Sequence, residues 1–150
     1  MLIELDETNK RILEKLQENA RMAFRRIAEE LGVSETTVFL RVRKLQEKGV
    51  IKRFTTVVSP ELVGKGLTAF VLIRAEPQKH SAILDTLKKI NSVYEIYDVT
   101  GNYYAITKIR AGSREELTKI LDIIGSIDGI TSTETAIVLR NIKEETTIKV

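Results

Sequence analysis

The feature that most constrains this 150-residue chain is a short corner inside "LGVSETTVFLRVRKLQEKGVI", Leu31 to Ile51. Gly32 ends one apolar-periodic segment, Ser34 opens the next, and Gly49 stops it. Glycine past a helix end supplies the left-handed backbone that reverses the chain, and serine before a helix start accepts from free backbone N–H groups. Two helices must therefore meet across a tight turn. Upstream, Asp6 is placed to cap a first helix running to Asn19, with Ile12, Leu13 and Leu16 at helical spacing. After a break at Ala20 to Ala23, "FRRIAEEL" puts Ile27, Ala28 and Leu31 on one face. Three short helices with a corner between the second and third predict a helix-turn-helix.

The third helix carries the first functional signal. Val38, Val42 and Leu45 define its inward side; at about 100° per residue, Thr36, Leu40 and Arg43 point nearly the opposite way, flanked by Thr37, Phe39 and Lys44. An outward Leu and Phe are unusual on a solvated face. Small hydroxyls, an apolar pair and cations suit a DNA major groove: Thr or Leu against a thymine methyl, Arg43 on guanine O6 and N7, Arg41 or Lys44 on phosphates. The candidate DNA contacts are Ser34, Thr36, Thr37, Phe39, Leu40, Arg41, Arg43 and Lys44. The competing reading packs Phe39 and Leu40 on the following strand or on a partner chain. Charge agrees with a polyanion at this end. Residues 1–60 hold 12 Lys or Arg against 9 Asp or Glu, whereas residues 61–150 hold 12 of each.

The remainder reads differently. "VIKRFTTVV" is β-branched and reads as a strand, and "SPELVGKG" is a hinge candidate. Beyond it, "LTAFVLIRAE" reads as a strand apolar on both faces, "SAILDTLKKI" as a helix, and "VYEIYDV" and "YYAITKIRA" as strands joined at Thr100-Gly101-Asn102. Ser113 and Glu116 form a capping box ahead of another helix, and "STETAIVLRN" gives a fourth strand. The fold expected is therefore α+β: an N-terminal, winged-helix-like helix-turn-helix over 1–50, a hinge strand and linker over 51–66, and a ferredoxin-like βαββαβ domain over 67–150.

Several classes of function are disfavoured. Without cysteine, and with His80 as the one histidine, no thiolate or ordinary zinc site is available. His80 sits between Lys79 and Ser81 at a predicted helix start, where a surface or capping role is expected. No triad, phosphate-binding glycine loop or metal cluster appears, so neither an enzyme nor a resident cofactor is expected. No window resembles a membrane span or a signal peptide, which predicts a cytoplasmic chain without a membrane partner, here associated with the nucleoid. RNA readout by Tyr94, Tyr97, Tyr103 and Tyr104 is a weaker alternative, because the surrounding segment is neutral.

The pieces "LDxxxxxILxxLQxNAR", "LGVSxxTVxxRVxKLxxxGVI" and "VTGNYY", in that order, make the chain resemble the Lrp/AsnC, or feast/famine, transcription regulators over essentially its whole length. The resemblance implies a winged or plain helix-turn-helix joined by a hinge strand to a regulatory domain whose sheets pack face to face into dimers, and further into tetramers or octamers. It also implies double-stranded DNA as partner and an amino-acid effector between dimers, near the loop Val99-Thr100-Gly101-Asn102-Tyr103-Tyr104. Asp122, Thr133, Glu134 and Thr135 are further candidates for that site. The loop departs from the family's Gly-Asp-Tyr-Asp, with Asn102 and Tyr104 where Asp is common; this favours a neutral polar effector such as glutamine or asparagine. The alternatives are that the loop is simply a hairpin turn, or that the chain is an effector-independent regulator or an architectural DNA-binding protein of the same fold.

Overall fold

In the computed structural model, which describes residues 5–150, side-chain caps open the first and third helices of the N-terminal region and a glycine ends the second. Helix α1 spans Glu7–Glu18, and the Asp6 carboxylate before it accepts from the Asn9 N–H at 2.8 Å. Helix α2, Phe24–Leu31, ends at Gly32, whose φ of 69° is the left-handed value that glycine adopts without a Cβ penalty. Helix α3, Glu35–Glu47, starts at Ser34, whose hydroxyl accepts from the Thr37 N–H at 3.1 Å. The three helices bury one stripe each: Ile12 and Leu16 of α1, Ile27 and Ala28 of α2, and Val38 and Val42 of α3, with Met22, Phe24, Leu31, Val33 and Ile51 packed around them.

The chain divides into two compact units: the described residues up to Val57 together with Glu144–Val150, and Val58–Lys143. In the first, the C-terminal segment is fastened to α1 by one side chain. The Gln17 amide donates to the Ile148 carbonyl at 2.9 Å and accepts the Ile148 N–H at 2.7 Å, as a neighbouring strand would. The described residues of this unit contain no strand, so the helix-turn-helix is plain rather than winged. The strand expected over "VIKRFTTVV" is also missing. That stretch forms no ladder with any of the described residues, and Phe54, Val57 and Val58 are exposed. Its β-branched composition is the whole signal, and β-propensity yields a strand only when a neighbour accepts the backbone bonds.

The second unit is a βαββαβ domain. Strand β1 spans Leu67–Ala75; a single 3-10 turn, Pro77–Lys79, leads into α4, His80–Leu87; β2 (Val93–Asp98) and β3 (Ala105–Ala111) follow; α5 (Arg114–Gly125) and β4 (Ile130–Ile137) complete it. The sheet order is β2-β3-β1-β4, antiparallel throughout, with β1 central between β3 and β4. One face carries Ala69, Val71 and Ile73 of β1 and Ala105 and Ile109 of β3, packed with Ile83 and Leu87 of α4 and Leu117, Ile120 and Ile124 of α5. The opposite face, set by the two-residue alternation of strands, presents Phe70, Leu72, Ile106 and Ala136, with the Lys108–Glu95 ion pair beside them.

The start of α5 differs in detail from the expected capping box. Ser113 Oγ accepts from the Glu116 N–H at 3.1 Å, but the Glu116 carboxylate bonds Gly112 N at 2.7 Å and Lys65 Nζ at 2.5 Å. A Cβ on Gly112 would lie 2.5 Å from the Gly64 carbonyl oxygen, so this close approach of two backbones requires glycine.

Candidate nucleic-acid and effector sites

The candidate DNA contacts at the start of α3 and along it fall into two groups by what their side chains do. Thr36, Phe39, Leu40, Arg43 and Lys44 are exposed on the side away from Val38, Val42 and Leu45. Phe39 and Leu40 keep 50% and 55% of their surface, too much for core residues, although the Phe39 ring also meets Phe24 of α2 at 6.5 Å between centroids. The other three have structural partners. Ser34 and Thr37 share a hydroxyl contact of 2.8 Å that completes the cap. Arg41 reaches back to α1, donating to Asp6 Oδ2 at 2.6 Å and Asn9 Oδ1 at 3.1 Å. The bond from Arg41 also lowers the Asp6 carboxyl pKa below its ordinary value, with the Asn9 N–H adding to the effect. Arg41 thus joins the first helix to the third, a contact 35 residues apart in sequence that no local pattern signals.

Charge on the exposed faces of α3 and α2 is arranged by short-range pairs. Arg43 bonds Glu47 one turn on at 2.9 Å, and on α2 Arg25 pairs with Glu29 and Arg26 with Glu30. Such exposed i,i+4 pairs are weak, so a phosphate or base edge can compete for the guanidinium at small cost. A cleft of about 580 Å³ between the start of α1 and α3 is lined by Asp6, Asn9, Leu40, Arg41, Lys44 and Lys48.

In the second unit the loop 99–104 is closed by backbone bonds: Val99 N donates to Tyr104 O at 3.1 Å and Tyr104 N to Ile73 O at 2.9 Å. Gly101 takes φ 111°, which the tight reversal between β2 and β3 demands. Tyr103 leaves the loop to lie against the sheet. Its hydroxyl donates to Glu134 at 2.5 Å, and Arg74 stands 5.0 Å from its ring centroid. The bond to Glu134, reinforced by burial, raises the Tyr103 hydroxyl above the ordinary tyrosine range.

The structure brings Tyr103 and Glu134 together and parts the other candidates. Thr133 and Thr135 pair with Ile73 and Val71 and so share the helix-covered face, whereas Glu134 pairs with Leu72 on the opposite one. Asp122 is exposed on α5, two positions from the buried Ile120 and Ile124. Sequence reasoning missed Arg74, which no motif marks, and misjudged His80. That residue begins α4 without forming a cap hydrogen bond, and its side chain is 22% exposed. Its Nε2 lies 3.5 Å from Asp98 Oδ1, and its ring lies 4.8 Å from that of Tyr104. A groove of about 490 Å³ between α4 and β2, lined by Leu84, Lys88, Val93, Tyr94, Ile96 and Asp98, adjoins the same carboxylate.

Among the described residues, no group of three or more His, Cys, Asp or Glu could hold a metal ion, and no helix is long and apolar enough to cross a membrane.

A helix-turn-helix whose third helix exposes apolar and cationic side chains, followed by a ferredoxin-like domain with a polar loop cluster, is the architecture of a two-part DNA-binding regulator. Comparison with known proteins makes the class specific. Residues 5–46 match the AsnC-type helix-turn-helix domain and residues 68–148 the Lrp/AsnC ligand binding domain. The chain is 40% identical over 150 residues to the HTH-type transcriptional regulator FL11 of Pyrococcus horikoshii, covering 100% of this chain and 99% of that one. It superposes on Escherichia coli AsnC with a TM-score of 0.93 at 35% identity, over 99% of this chain and 100% of the other. A transcriptional regulator of Neisseria meningitidis, solved as its L-Met complex, shares the fold with a TM-score of 0.90 at 24% identity, over 97% and 96% of the two chains. The chain belongs to the Lrp/AsnC family of DNA-binding transcriptional regulators, and not to a family of enzymes.

Proposed function

We propose that α3 reads base edges in the major groove and that an amino acid, held beside the 99–104 loop between dimers, biases assembly or DNA affinity. Along the sequence we assign residues 1–50 to the reader, 51–66 to the hinge and 67–150 to the effector and assembly domain, whose last residues, Glu144–Val150, pack with the helices of the reader. The observation that carries the sensing half is the cluster of Arg74, Tyr103 and Glu134: a guanidinium, a phenol and a carboxylate at the end of one sheet face. A free amino acid presents a carboxylate and an ammonium, which Arg74 and Glu134 complement in charge. Asn102 and Tyr104 add no acid, which favours a neutral polar side chain such as that of glutamine. The regulator solved with L-Met shows that a protein of this fold was crystallised with an amino acid.

Self-association is supported by the uncovered sheet face, where Phe70 and Leu72 remain partly exposed beside Ile106 and Ala136. A second copy presenting the same face would bury that surface symmetrically. The resulting dimer, and tetramers or octamers built from it, would present paired reading heads to duplex DNA, and the preferred sites are then imperfect palindromes. An effector can shift such an assembly only through unequal affinity for its states.

Two measurements test this reading. Selection of bound genomic fragments should recover a palindromic motif, and Arg43→Ala should weaken binding by about 1–3 kcal/mol at particular positions of it. Equal losses on every sequence would reassign Arg43 to phosphate. Calorimetry with each amino acid at millimolar concentration should find at least one ligand whose heat disappears in Arg74→Ala. No heat from any of them would instead support the effector-independent or architectural regulator.

A further inference from the structure

The only histidine in the sequence stands where the 99–104 loop begins and ends. Asp98, the last residue of β2, precedes the loop and faces His80 Nε2 at 3.5 Å; Tyr104, which closes the loop, meets the imidazole ring at 4.8 Å and 57°. The Nε2 atom is buried and has no hydrogen-bond partner, although a carboxylate oxygen is this near. A buried polar nitrogen without a partner is costly, so the arrangement favours any small movement that aligns Nε2 with Asp98.

We propose that His80 is a positioning residue for the 99–104 loop, holding both stems against α4 through Asp98 and Tyr104 and holding them more firmly when its imidazole is protonated. The proposal rests on the reading of that loop as the effector loop. Protonation makes Nε2 a donor to the Asp98 carboxylate whichever tautomer the neutral ring holds, and makes the bond charge-assisted. The cation has one opponent in its own helix, since His80 occupies the first turn of α4, where the backbone dipole disfavours positive charge. Other nearby ionic groups are engaged elsewhere. Lys79 pairs with Asp128 at 2.9 Å and Glu76 at 3.5 Å, and Asp85 pairs with Lys88 at 3.0 Å. Asp98 is therefore the carboxylate that answers the imidazole, and Tyr104 supplies a neutral ring face.

The consequence is a loop that is better ordered when His80 carries a second ring proton. Hydrogen exchange of the full-length protein, read by mass spectrometry on peptides covering 98–105 and corrected for intrinsic rates, tests this without any effector. Between about pH 8 and about pH 5.5, protection of the loop should rise about fivefold, the factor separating a charge-assisted hydrogen bond from a neutral one. Asp98→Asn should abolish that rise. His80→Gln, which keeps a donor in place of Nε2, should hold the loop at a protection independent of pH, and His80→Ala should leave it equally flat but lower. Peptides from β1 should be unchanged in all four proteins. A pH response that survives in His80→Gln, or a flat response in the wild type, overturns the proposal. If the loop responds to pH while no amino acid binds, the effector reading falls and the positioning role stands; if an amino acid binds while the loop is indifferent to His80, the positioning role falls and the effector reading stands.

Discussion

Glu116 accepts from Lys65 Nζ and from the Gly112 N–H, and those two bonds, Lys65 first, hold its carboxyl below the ordinary value of 4.5. The same contact raises Lys65 above its ordinary 10.5. A carboxylate with a lowered folded-state pKa contributes stability that is fully present above its unfolded value and is lost as pH falls through the folded one. The Lys65 contribution is present below its unfolded value and is lost only as pH rises through its own raised one. Both partners therefore support the contact throughout the neutral range. Glu116→Gln should melt below wild type at pH 7, and the gap should close as pH falls below the carboxylate range; thermal denaturation across pH checks this, and a constant gap would mean that packing matters more than charge. At this scale the sequence exposes cap residues well, because Asp6, Ser34 and Ser113 act within three positions of themselves. It hides side chains whose partners are distant. Arg41 looks like any cation on a reading face until Asp6 is brought beside it, and Arg74 has no meaning before Tyr103 folds onto it.

Elements depend on glycine in two physically different ways, and the difference is measurable. Gly32 has φ 69° with open space around a notional Cβ, so Gly32→Ala bears only the cost of left-handed backbone, about 1 kcal/mol. Gly112 needs no such angle, but its Cβ would meet the Gly64 carbonyl at 2.5 Å, so Gly112→Ala must move backbone and should cost about 1–3 kcal/mol. Urea unfolding of both variants checks the order, and a larger loss at Gly32 would contradict this ranking. The helices are legible because apolar spacing agrees with a cap or a terminating glycine, and the four regulatory strands because β-branched and aromatic runs fall between turn residues. The hinge strand is not, because "FTTVV" satisfies propensity without a partner strand among the described residues. The effector candidates are only partly gathered. Adjacency along β4 puts Thr133, Glu134 and Thr135 together in sequence, while the pleat sends Glu134 to one face and both threonines to the other.

For the whole molecule, the uncovered sheet face makes an explicit prediction about assembly. Phe70→Glu places a charge amid Leu72, Ile106 and Ala136 on that face, while Ala69 and Val71 on the helix side stay as they are. Light scattering should show a smaller particle with unchanged circular dichroism; an unchanged mass would move the interface elsewhere. The Gln17–Ile148 clamp adds a constraint of another kind. Because the reading unit holds Glu144–Val150 as well as the helices, the effector unit Val58–Lys143 is spliced into it, as an insert into a host. Exchanging effector units between relatives is therefore a graft with two seams. A chimera cut only at the hinge imports a foreign tail for Gln17 to grip, and an affinity tag on the C-terminus hangs from the half of the protein that meets DNA.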